Sequence, residues 1–313
     1  MFRFILRRLL SGVVLLFVIS TIAFSLLYIG GGDIARRILG QMATPETVAQ
    51  KTEELGLNRP LYVQYFDWLG NAVQGDLGAS WFTGQQVTEG ITSRLAVTLS
   101  IVLGAIVLIA IVSILLGVWA AIRGGWADKF VQAVSILGFA IPGFLIALGL
   151  VTLFALNLKV FKPTGYTPFT ESPAGWAATV TLPIIALAIG GIAGVAQQVR
   201  GSVVDALRQD YVRTLRSRGL SYNRVVFKHV LRNAGGPALA VLAVQFVGLL
   251  GGAVIVEQIF AIPGLGQVSV QATSQADIPM VMGLVVAIAI IVVIVNLLID
   301  LLQGWLNPKV RLA

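Results

Sequence analysis

The sequence predicts an all-α integral membrane protein with six transmembrane helices. Of its 313 residues, 57% are hydrophobic and only 12% are charged, whereas about a quarter of the residues in a soluble domain are charged. The mean hydropathy is +0.89. Apolar runs long enough to cross a bilayer core of about 30 Å recur along the chain. They lie at residues 9–29, 95–122, 130–156, 178–199, 239–257 and 280–302.

The first run follows three basic residues, Arg3, Arg7 and Arg8. A cleaved signal peptide also begins with basic residues, but its apolar core is typically about 7 to 15 residues long and a small-residue cleavage site follows. The run at 9–29 is longer than that, and no such site follows it. We therefore expect residues 1–30 to form a short cytoplasmic N-terminus and the first span.

Residues 31–94 are polar and predict a small helical insert on the outer side of the membrane. Thr44 and Pro45 are typical of a helix start, and Gly56 is typical of a helix stop. Residues 60–73 then have the pattern of a second amphipathic helix with aromatic residues suited to a membrane interface.

Several later spans contain residues that alter helix geometry or packing. Pro142-Gly143 in the third run and Pro183 in the fourth predict kinks, because proline removes a backbone donor and its ring clashes with the preceding turn. Two small-xxx-small pairs, Gly190/Gly194 and Gly248/Gly252, fit either ordinary close helix packing or a bundle that opens a path.

Residues 200–237 differ from the rest, because they are polar and strongly basic. Eight Lys or Arg residues stand against two acids between Arg200 and Arg232. Apolar positions recur there every four residues, which predicts one helix with a single apolar stripe. They are Val203, Leu207, Tyr211 and Leu215.

Gly219 is expected to end that helix in the left-handed conformation, and Ser221 is a suitable N-cap for a second helix to about Asn233. Gly235, Gly236 and Pro237 are expected to end the unit. The segment therefore predicts two helices joined at a corner, with a basic surface.

The basic residues also predict the orientation. With both termini in the cytoplasm, 15 Lys and Arg residues lie on the cytoplasmic side and 7 on the outer side. Cytoplasmic loops of membrane proteins carry this excess of positive charge. The same rule would account for many of the charges in 200–237 without any special role.

The chain offers little for chemistry of its own. It has no cysteine and one histidine, His229, which removes Cys nucleophiles, His-based metal sites and most Ser-His triads. No GxxxxGK[ST] loop is present, and no ionisable residue lies clearly at the middle of a span. Glu257 and Asp300 fall near span ends. If ATP drives this protein, another subunit is therefore expected to bind it.

The segment DYVRTLRSRGLSYNRVVFKHVLRNA at 210–234 resembles the cytoplasmic loop of permease subunits of bacterial ABC importers, in the dipeptide, oligopeptide and nickel group. Six other segments resemble the B-type permease of that group, and they occur in the expected order. They are FILRRLL, LGLNRPLYVQYFDWLGNAVQGDLGAS at 55–80, VEQIFAIPGLGQ at 256–267, DIP at 277–279, NLLIDLL at 296–302 and NPKVR at 307–311.

The resemblance implies the type I ABC importer permease fold in the bacterial inner membrane. Residues 95–304 would form a core of five helices containing the coupling loop 200–237, and residues 305–313 a cytoplasmic tail. The implied partners are a C-type second permease, two ATPases that bind ATP and Mg²⁺, and an extracytoplasmic solute-binding protein that delivers peptides. The chain itself would bind no cofactor or metal and would have no catalytic site.

The resemblance also assigns residues to the loop that couples to the ATPases. They are Asp210, Tyr211, Arg213, Thr214, Arg216, Gly219, Leu220 and Arg224. Tyr211, Arg213 and Arg216 are the expected ATPase contacts. When the usual family loop, EAA-x₃-G-x₉-I-x-L-P, is aligned on Gly219, only that glycine and Leu231 match, so no Glu stands at the family's acidic position. Other positions match family motifs without an assigned role: Glu257, Pro263, Gly264, Gly266, Asp277, Asn296 and Asp300.

Other interpretations of the chain are a stand-alone channel or secondary carrier, or an importer of the same family that moves nickel or another small solute. A basic helix-corner-helix can also read DNA, but this one lies between two membrane spans. A polybasic segment next to the membrane can bind lipid, which is compatible with a role in coupling.

Overall fold

The computed structural model of the protein describes residues 2–30, 34–40 and 42–306, so the family motif at 307–311 and most of the expected tail lie outside the described residues. Within the described ranges the chain is helical, and extended pairing is limited to one antiparallel bridge between Ala79 and Gln86. The helices in chain order are α1 (Phe2–Gly30), α2 (Ile34–Leu39), α3 (Pro45–Glu54), α4 (Leu61–Val73), α5 (Val87–Arg123), α6 (Gly125–Ala140), α7 (Gly143–Leu150), α8 (Pro173–Leu207), α9 (Asp210–Ser217), α10 (Tyr222–Val225), α11 (Leu231–Ile259), α12 (Leu265–Gln275) and α13 (Ile278–Leu306). Two π-helical stretches, Val151–Asn157 and Val226–Val230, follow α7 and α10.

Five spans among the described residues are long and apolar enough to cross a membrane. They contain α1, α5, α8, α11 and α13, and α11 is continuous with the turns that precede it from Tyr222. Helices α6 and α7 with its π-helical extension give a sixth span if the bent pair counts as one. When the bent pair is counted as one span, the prediction of six spans in an all-α fold is confirmed.

The two prolines predicted to kink helices behave differently. The chain bends by 93° between α6 and α7, because Ile141, directly before Pro142, takes an extended conformation with φ −92° and ψ 119°. Proline disfavours the helical conformation in the residue before it, so the predicted kink is a full break. Pro183, in contrast, lies inside the continuous helix α8.

The described chain separates into two compact units. One comprises Phe2–Ala96 and Gly264–Val293, and its core groups Phe24, Ile34, Tyr65 and Met282. Inside this unit the Tyr65 hydroxyl hydrogen bonds to the Ser20 hydroxyl at 2.8 Å. Burying the ring therefore leaves its polar end satisfied.

The short helices of the same unit follow the sequence signals. Thr44 is the N-cap of α3, and its hydroxyl accepts a hydrogen bond from the Thr47 backbone N–H at 3.4 Å. Gly56 takes the left-handed conformation after the helix, with φ +65°. The predicted second helix at 60–73 is α4, Leu61–Val73. The sequence therefore located both helices of the insert correctly.

The other unit comprises Val97–Pro263 and the chain from Ile294 onward. Its central element is α8, which packs against α6, α7 and α11. Small residues allow the close approaches: a Cβ on Gly117 of α5 would lie 2.8 Å from the Ala196 carbonyl oxygen, and one on Gly138 of α6 would lie 2.9 Å from the Ala193 Cβ. Backbones that approach this closely hold α5, α6 and α8 together by dispersion contacts.

Candidate functional site

The basic corner at 200–237 begins with a helix break that the sequence did not predict. The expected single helix through Val203 and Leu215 is divided, because α8 ends at Leu207 and α9 begins at Asp210. Gln209 between them is extended, with φ −73° and ψ 149°. The apolar stripe continues across the break, so periodicity alone gave no sign of it.

The predicted turn at Gly219 is confirmed. Gly219 has φ +82°, and its backbone N–H donates to the Arg216 carbonyl at 3.0 Å, while the Leu220 N–H donates to the Leu215 carbonyl at 3.3 Å. These two bonds form a Schellman motif, which satisfies carbonyls that the end of α9 would otherwise leave without a donor. The corner is therefore set by the backbone conformation of one glycine.

The second arm starts as predicted but does not end as predicted. Ser221 is the N-cap residue of α10, without a side-chain capping bond. The helix then continues through the π-helical stretch into α11, and Pro237 lies inside α11. The prediction that 235–237 end the unit is wrong, because in an apolar environment water cannot replace helix hydrogen bonds and glycine or proline is tolerated within a span.

The corner has a buried side and an exposed basic side. Val212 is buried and Tyr211 is half-buried, with the Tyr211 hydroxyl enclosed and lacking a hydrogen-bond partner among the described residues. The Arg216 guanidinium lies 5.8 Å from the centre of the Tyr222 ring, which links α9 to α10 across the turn by a cation–π contact. Exposed residues of the corner include Arg213, Arg216, Arg218 and Arg224.

The remaining residues assigned to the loop lie around this surface. Asp210 opens α9 and is exposed, and its carbonyl accepts a hydrogen bond from the Thr214 hydroxyl at 3.1 Å. Leu220 is half-buried beside Gly219. The structure thus brings the eight predicted residues into one corner, with Tyr211 and Leu220 facing inward and the charged residues outward.

A second feature of this unit is a cleft of about 290 Å³ lined by α7, α8 and α11. A Cβ built on Gly190 or Gly248 would meet no atom within 4 Å, so these two glycines border open space. Their partners in the predicted pairs are contact positions, because a Cβ on Gly194 would lie 3.1 Å from Phe139 and one on Gly252 would lie 3.2 Å from Leu187. Gly190 and Gly248 therefore border the open part of the cleft, Gly252 lines it while packing against Leu187, and Gly194 packs against Phe139.

The cleft walls are mostly apolar. The side-chain amide of Gln245 is the polar side-chain group among the lining residues, which also include Phe144, Ala186, Leu187, Leu249, Ile255 and Val256. Gln245 packs against Gly191, where a Cβ would lie 2.8 Å from its Nε2 atom. The glycine at 191 thus makes room for the Gln245 side chain in the cleft wall.

Two of the family-motif acids are buried and accept hydrogen bonds. Glu257 is fully buried in α11 and accepts a hydrogen bond from the Thr98 hydroxyl at 2.6 Å. Asp277, in the other unit, accepts bonds from the Ser80 hydroxyl at 2.5 Å and the Trp81 N–H at 3.2 Å. Both acids therefore fasten distant parts of the sequence together within their units.

The other family-motif positions are structural or lie apart. Pro263 is exposed and Gly264 is the buried N-cap residue of α12, so the predicted turn pair precedes a helix that the sequence did not predict. Gly266 is buried in α12, whereas Asn296 and Asp300 are half-buried on α13. The seven motif positions are divided between the two units.

Sequence reasoning missed several contacts that shape these features. Arg200 and Asp128 form a bidentate salt bridge that joins α8 to α6, although the two residues are far apart in sequence. Thr98, Ser80 and Gln245 carry no motif signal. Among the described residues, no group of three or more His, Cys, Asp or Glu side chains is arranged to hold a metal ion.

The sequence matches family models along nearly all of its length. Residues 113–312 match the model of the binding-protein-dependent transport system inner membrane component, and residues 1–102 match the N-terminal model of the same kind of membrane component. The chain belongs to this family. It is therefore a membrane component of a transport system that works with a binding protein, as the resemblance of the corner and the other motifs implied.

Curated relatives agree with this assignment over nearly their full length. A peptide transport system permease protein of Brucella abortus is 38% identical over 98% of each chain. A peptide ABC transporter permease protein of Sinorhizobium fredii is 36% identical over 98% of this chain and 99% of the relative. The glutathione transport system permease protein GsiC of Escherichia coli O6:H1 is 33% identical over 99% of each chain.

A solved structure has a similar fold. The MetNI methionine ABC transporter in an inward-facing conformation matches 71% of this chain and 96% of its own chain, with a TM-score of 0.52 and 17% sequence identity. The likeness confirms the predicted importer permease fold.

Proposed function

We propose that this chain, a permease subunit of an ABC importer, forms with a second permease the path for peptides handed over by an external binding protein. The observation that carries the proposal is the Gly219 corner, a basic turn that lies between two long membrane spans and whose second arm is continuous with α11. Its exposed face offers the surface on which a partner ATPase would act. ATP and Mg²⁺ would be bound by that partner.

The corner is suited to transmitting movement. The Schellman bonds at Gly219 and the contact of Arg216 with Tyr222 fix the angle between α9 and α10. Because α10 is continuous with α11, a push on the corner would tilt that span. ATP-driven closure of the partner would then shift the population between two arrangements of the bundle.

The charges on the corner favour an acidic partner surface. Arg213, Arg216, Arg218 and Arg224 are exposed, and guanidinium groups pair with carboxylates through two parallel hydrogen bonds. Because the chain lacks the family's Glu in its loop, contact through these arginines is the proposed substitute. Tyr211 would support the corner from its inner side.

The cleft is the proposed contribution of this chain to the path. Open space beside Gly190 and Gly248, apolar walls and one amide at Gln245 suit a solute that must pass without being held tightly. A backbone-like amide can hydrogen bond to Gln245 in either direction. Peptides are therefore the proposed substrates, in keeping with the names of the relatives at 36% to 38% identity.

The test is ATP-driven uptake of labelled peptides into proteoliposomes that contain the chain with its co-purifying subunits. A Cβ at Gly248 meets no atom within 4 Å, so the side chain of Gly248→Leu would extend into the cleft and should lower uptake at least about tenfold. Gly251→Leu is the matched control, because Gly251 lies three residues away in α11, also has open space around it, and does not line the cleft. Equal uptake by the two variants would contradict the proposed path.

Two further arms of the same assay test the system and its substrate. Uptake by the chain alone, without ATPase subunits, would establish a channel or carrier in place of an importer. Competition by unlabelled peptides, glutathione and nickel separates the candidate substrates, and uptake inhibited by glutathione or nickel but not by peptides would overturn the peptide proposal.

A further inference from the structure

An exposed aromatic cluster surrounds the turn between α5 and α6. Trp119, Trp126 and Phe130 lie with ring centres 5.5 to 6.3 Å apart, and the Trp126 and Phe130 rings are stacked. Trp126 is 72% exposed and Phe130 is 44% exposed. Tryptophan is enriched where proteins cross from the apolar core of a membrane to the headgroup region, so the cluster has the character of a membrane interface.

Positive charge accompanies the aromatic rings. Arg123 and Lys129 flank Trp126 in sequence, and both are exposed. The acid next to them, Asp128, is held in the bidentate salt bridge with Arg200. The pair neutralises itself, which leaves two positive charges from Arg123 and Lys129 beside the rings.

The turn itself is tight, because Gly124 and Gly125 both have positive φ, at +60° and +53°. Glycine takes this conformation without the steric cost of a side chain. The turn brings Trp126 at the start of α6 back against Trp119 near the end of α5. Arg123 is four residues after Trp119 in α5 and Lys129 is three residues after Trp126 in α6, spacings that place each basic residue on the same helix face as its tryptophan.

An apolar crevice leads away from this surface. It has a volume of about 170 Å³ and lies between α5, α6 and α8, with Phe130 at the end next to the cluster and Gly138 farther along α6. Eight residues of α6 separate those two positions, which corresponds to about 12 Å. The other lining residues are Leu116, Val131, Val134, Ser135, Ile189, Ile192, Ala193 and Ala196.

We propose that this surface and crevice bind one molecule of an anionic phospholipid. The lipid phosphate pairs with Arg123 and Lys129, the Trp126 ring lies at the level of the glycerol backbone, and one acyl chain occupies the crevice. The loop between α5 and α6 is predicted to face the cytoplasm, and the cytoplasmic leaflet of many membranes contains anionic lipid.

The chemistry favours a lipid over a segment of another protein. Among the described residues, Ser135 is the only polar side chain that lines the crevice, and it is 1% exposed. An occupant with backbone N–H and C=O groups would therefore find almost nothing to hydrogen bond with. Such unsatisfied groups are costly in an apolar environment. An acyl chain has none, and its charged head matches the two basic residues.

Native mass spectrometry of the full chain, purified from bacterial membranes with its co-purifying subunits, provides the test. Phosphatidylglycerol and phosphatidylcholine with identical acyl chains are titrated in detergent. Arg123→Gln combined with Lys129→Gln should lower phosphatidylglycerol affinity roughly 30-fold, because each basic group near an anionic surface contributes about fivefold. Phosphatidylcholine binding should change little.

Matched variants decide the outcome. Lys159→Gln with Lys162→Gln removes two exposed charges predicted to lie on the other side of the membrane and should leave phosphatidylglycerol binding unchanged. Ala193→Leu, which enlarges a side chain at the crevice, should weaken retention of both lipids. Equal binding of the two lipids by the natural chain, or equal effects of the two double variants, would overturn the proposal. So would retention by the isolated chain that disappears when a second permease is present, because that subunit would then occupy the crevice.

Discussion

The left-handed backbone at Gly219 predicts a graded response to substitution. Gly219 has φ +82°, and a Cβ built there would meet no atom within 4 Å. The cost of a side chain is therefore conformational and not steric, at about 1 to 2 kcal/mol for an ordinary residue. Such a cost lowers the population of the native backbone conformation at residue 219 about 5- to 30-fold relative to other conformations of the turn.

The order of variants follows from the same physics. Asn visits the left-handed conformation more readily than other residues with side chains, so Gly219→Asn should retain most function. If the partner ATPase recognises only the native corner, peptide uptake should fall about 5- to 30-fold in Gly219→Ala and further in Gly219→Val. ATP hydrolysis by the complex should continue, because the proposed nucleotide sites lie on the partner ATPases.

The assay measures peptide uptake and ATP hydrolysis together in proteoliposomes, so that their ratio reports coupling. Gly201→Ala is the control, because Gly201 lies in α8 close to the corner, has open space around it and has an ordinary helical backbone. Alanine there should be neutral or slightly stabilising. If Gly219→Ala and Gly201→Ala couple uptake to hydrolysis equally well, the corner is not the joint.

Three further predictions concern stability. Asp277→Ala should lower the free energy of unfolding by about 2 to 3 kcal/mol, since it removes a buried acceptor of hydrogen bonds from Ser80 and two backbone N–H groups; thermal unfolding in detergent measures the loss. Gly117→Ala should cost about 1 to 3 kcal/mol in the same measurement, because its Cβ would lie 2.8 Å from the Ala196 carbonyl oxygen. Helix α3 should lose stability as the pH falls through the pKa of Glu46. The Glu46 backbone N–H and the Thr44 side chain hold the pKa of that carboxyl below its ordinary value, so the ionised form is the one that stabilises the helix. Amide hydrogen exchange in α3, measured as a function of pH, tests this.

For each of these three predictions, a control variant separates the proposed cause of the stability change from a nonspecific loss of stability. Asp277→Asn keeps an acceptor oxygen and should lose less than the alanine variant. Gly149→Ala introduces the same group into α7 where no atom lies within 4 Å, and a loss as large as that of Gly117→Ala would contradict the packing explanation. Glu46→Gln should remove the dependence on pH, and exchange in α3 that still changes over the same pH range would contradict its assignment to Glu46.

Local signals predicted the parts of the fold that one or two residues determine. The left-handed turn at Gly219, the N-cap position at Ser221 and the bounds of α3 between Thr44 and Gly56 all follow from backbone chemistry within a few residues. These preferences hold in any surroundings, because they arise from steric limits and from hydrogen bonds between near neighbours. The turn at Gly219 could therefore be predicted from the sequence alone.

Features that depend on neighbouring helices could not be predicted in this way. Pro142 breaks a span whereas Pro183 is accommodated within α8, and nothing in the residue type distinguishes the two. The break at Gln209 interrupts an unbroken apolar stripe. Glu257 could be assigned to a span end, but its Thr98 donor comes from a distant helix. In each case the outcome depends on packing between helices, which local sequence patterns do not reveal.

The length of helix α8 determines how far its two ends move relative to each other when it tilts. It runs without interruption for 35 residues, or about 52 Å, and it includes both Gly190 at the cleft and Leu207 at the approach to the corner. Those two residues are roughly 25 Å apart along the axis, so a rigid tilt of about 5° displaces one relative to the other by ~2 Å. If α8 tilts as a rigid body when the proposed ATPase acts on the corner, its length would set how far the cleft end moves, and no chain of relay residues would be needed.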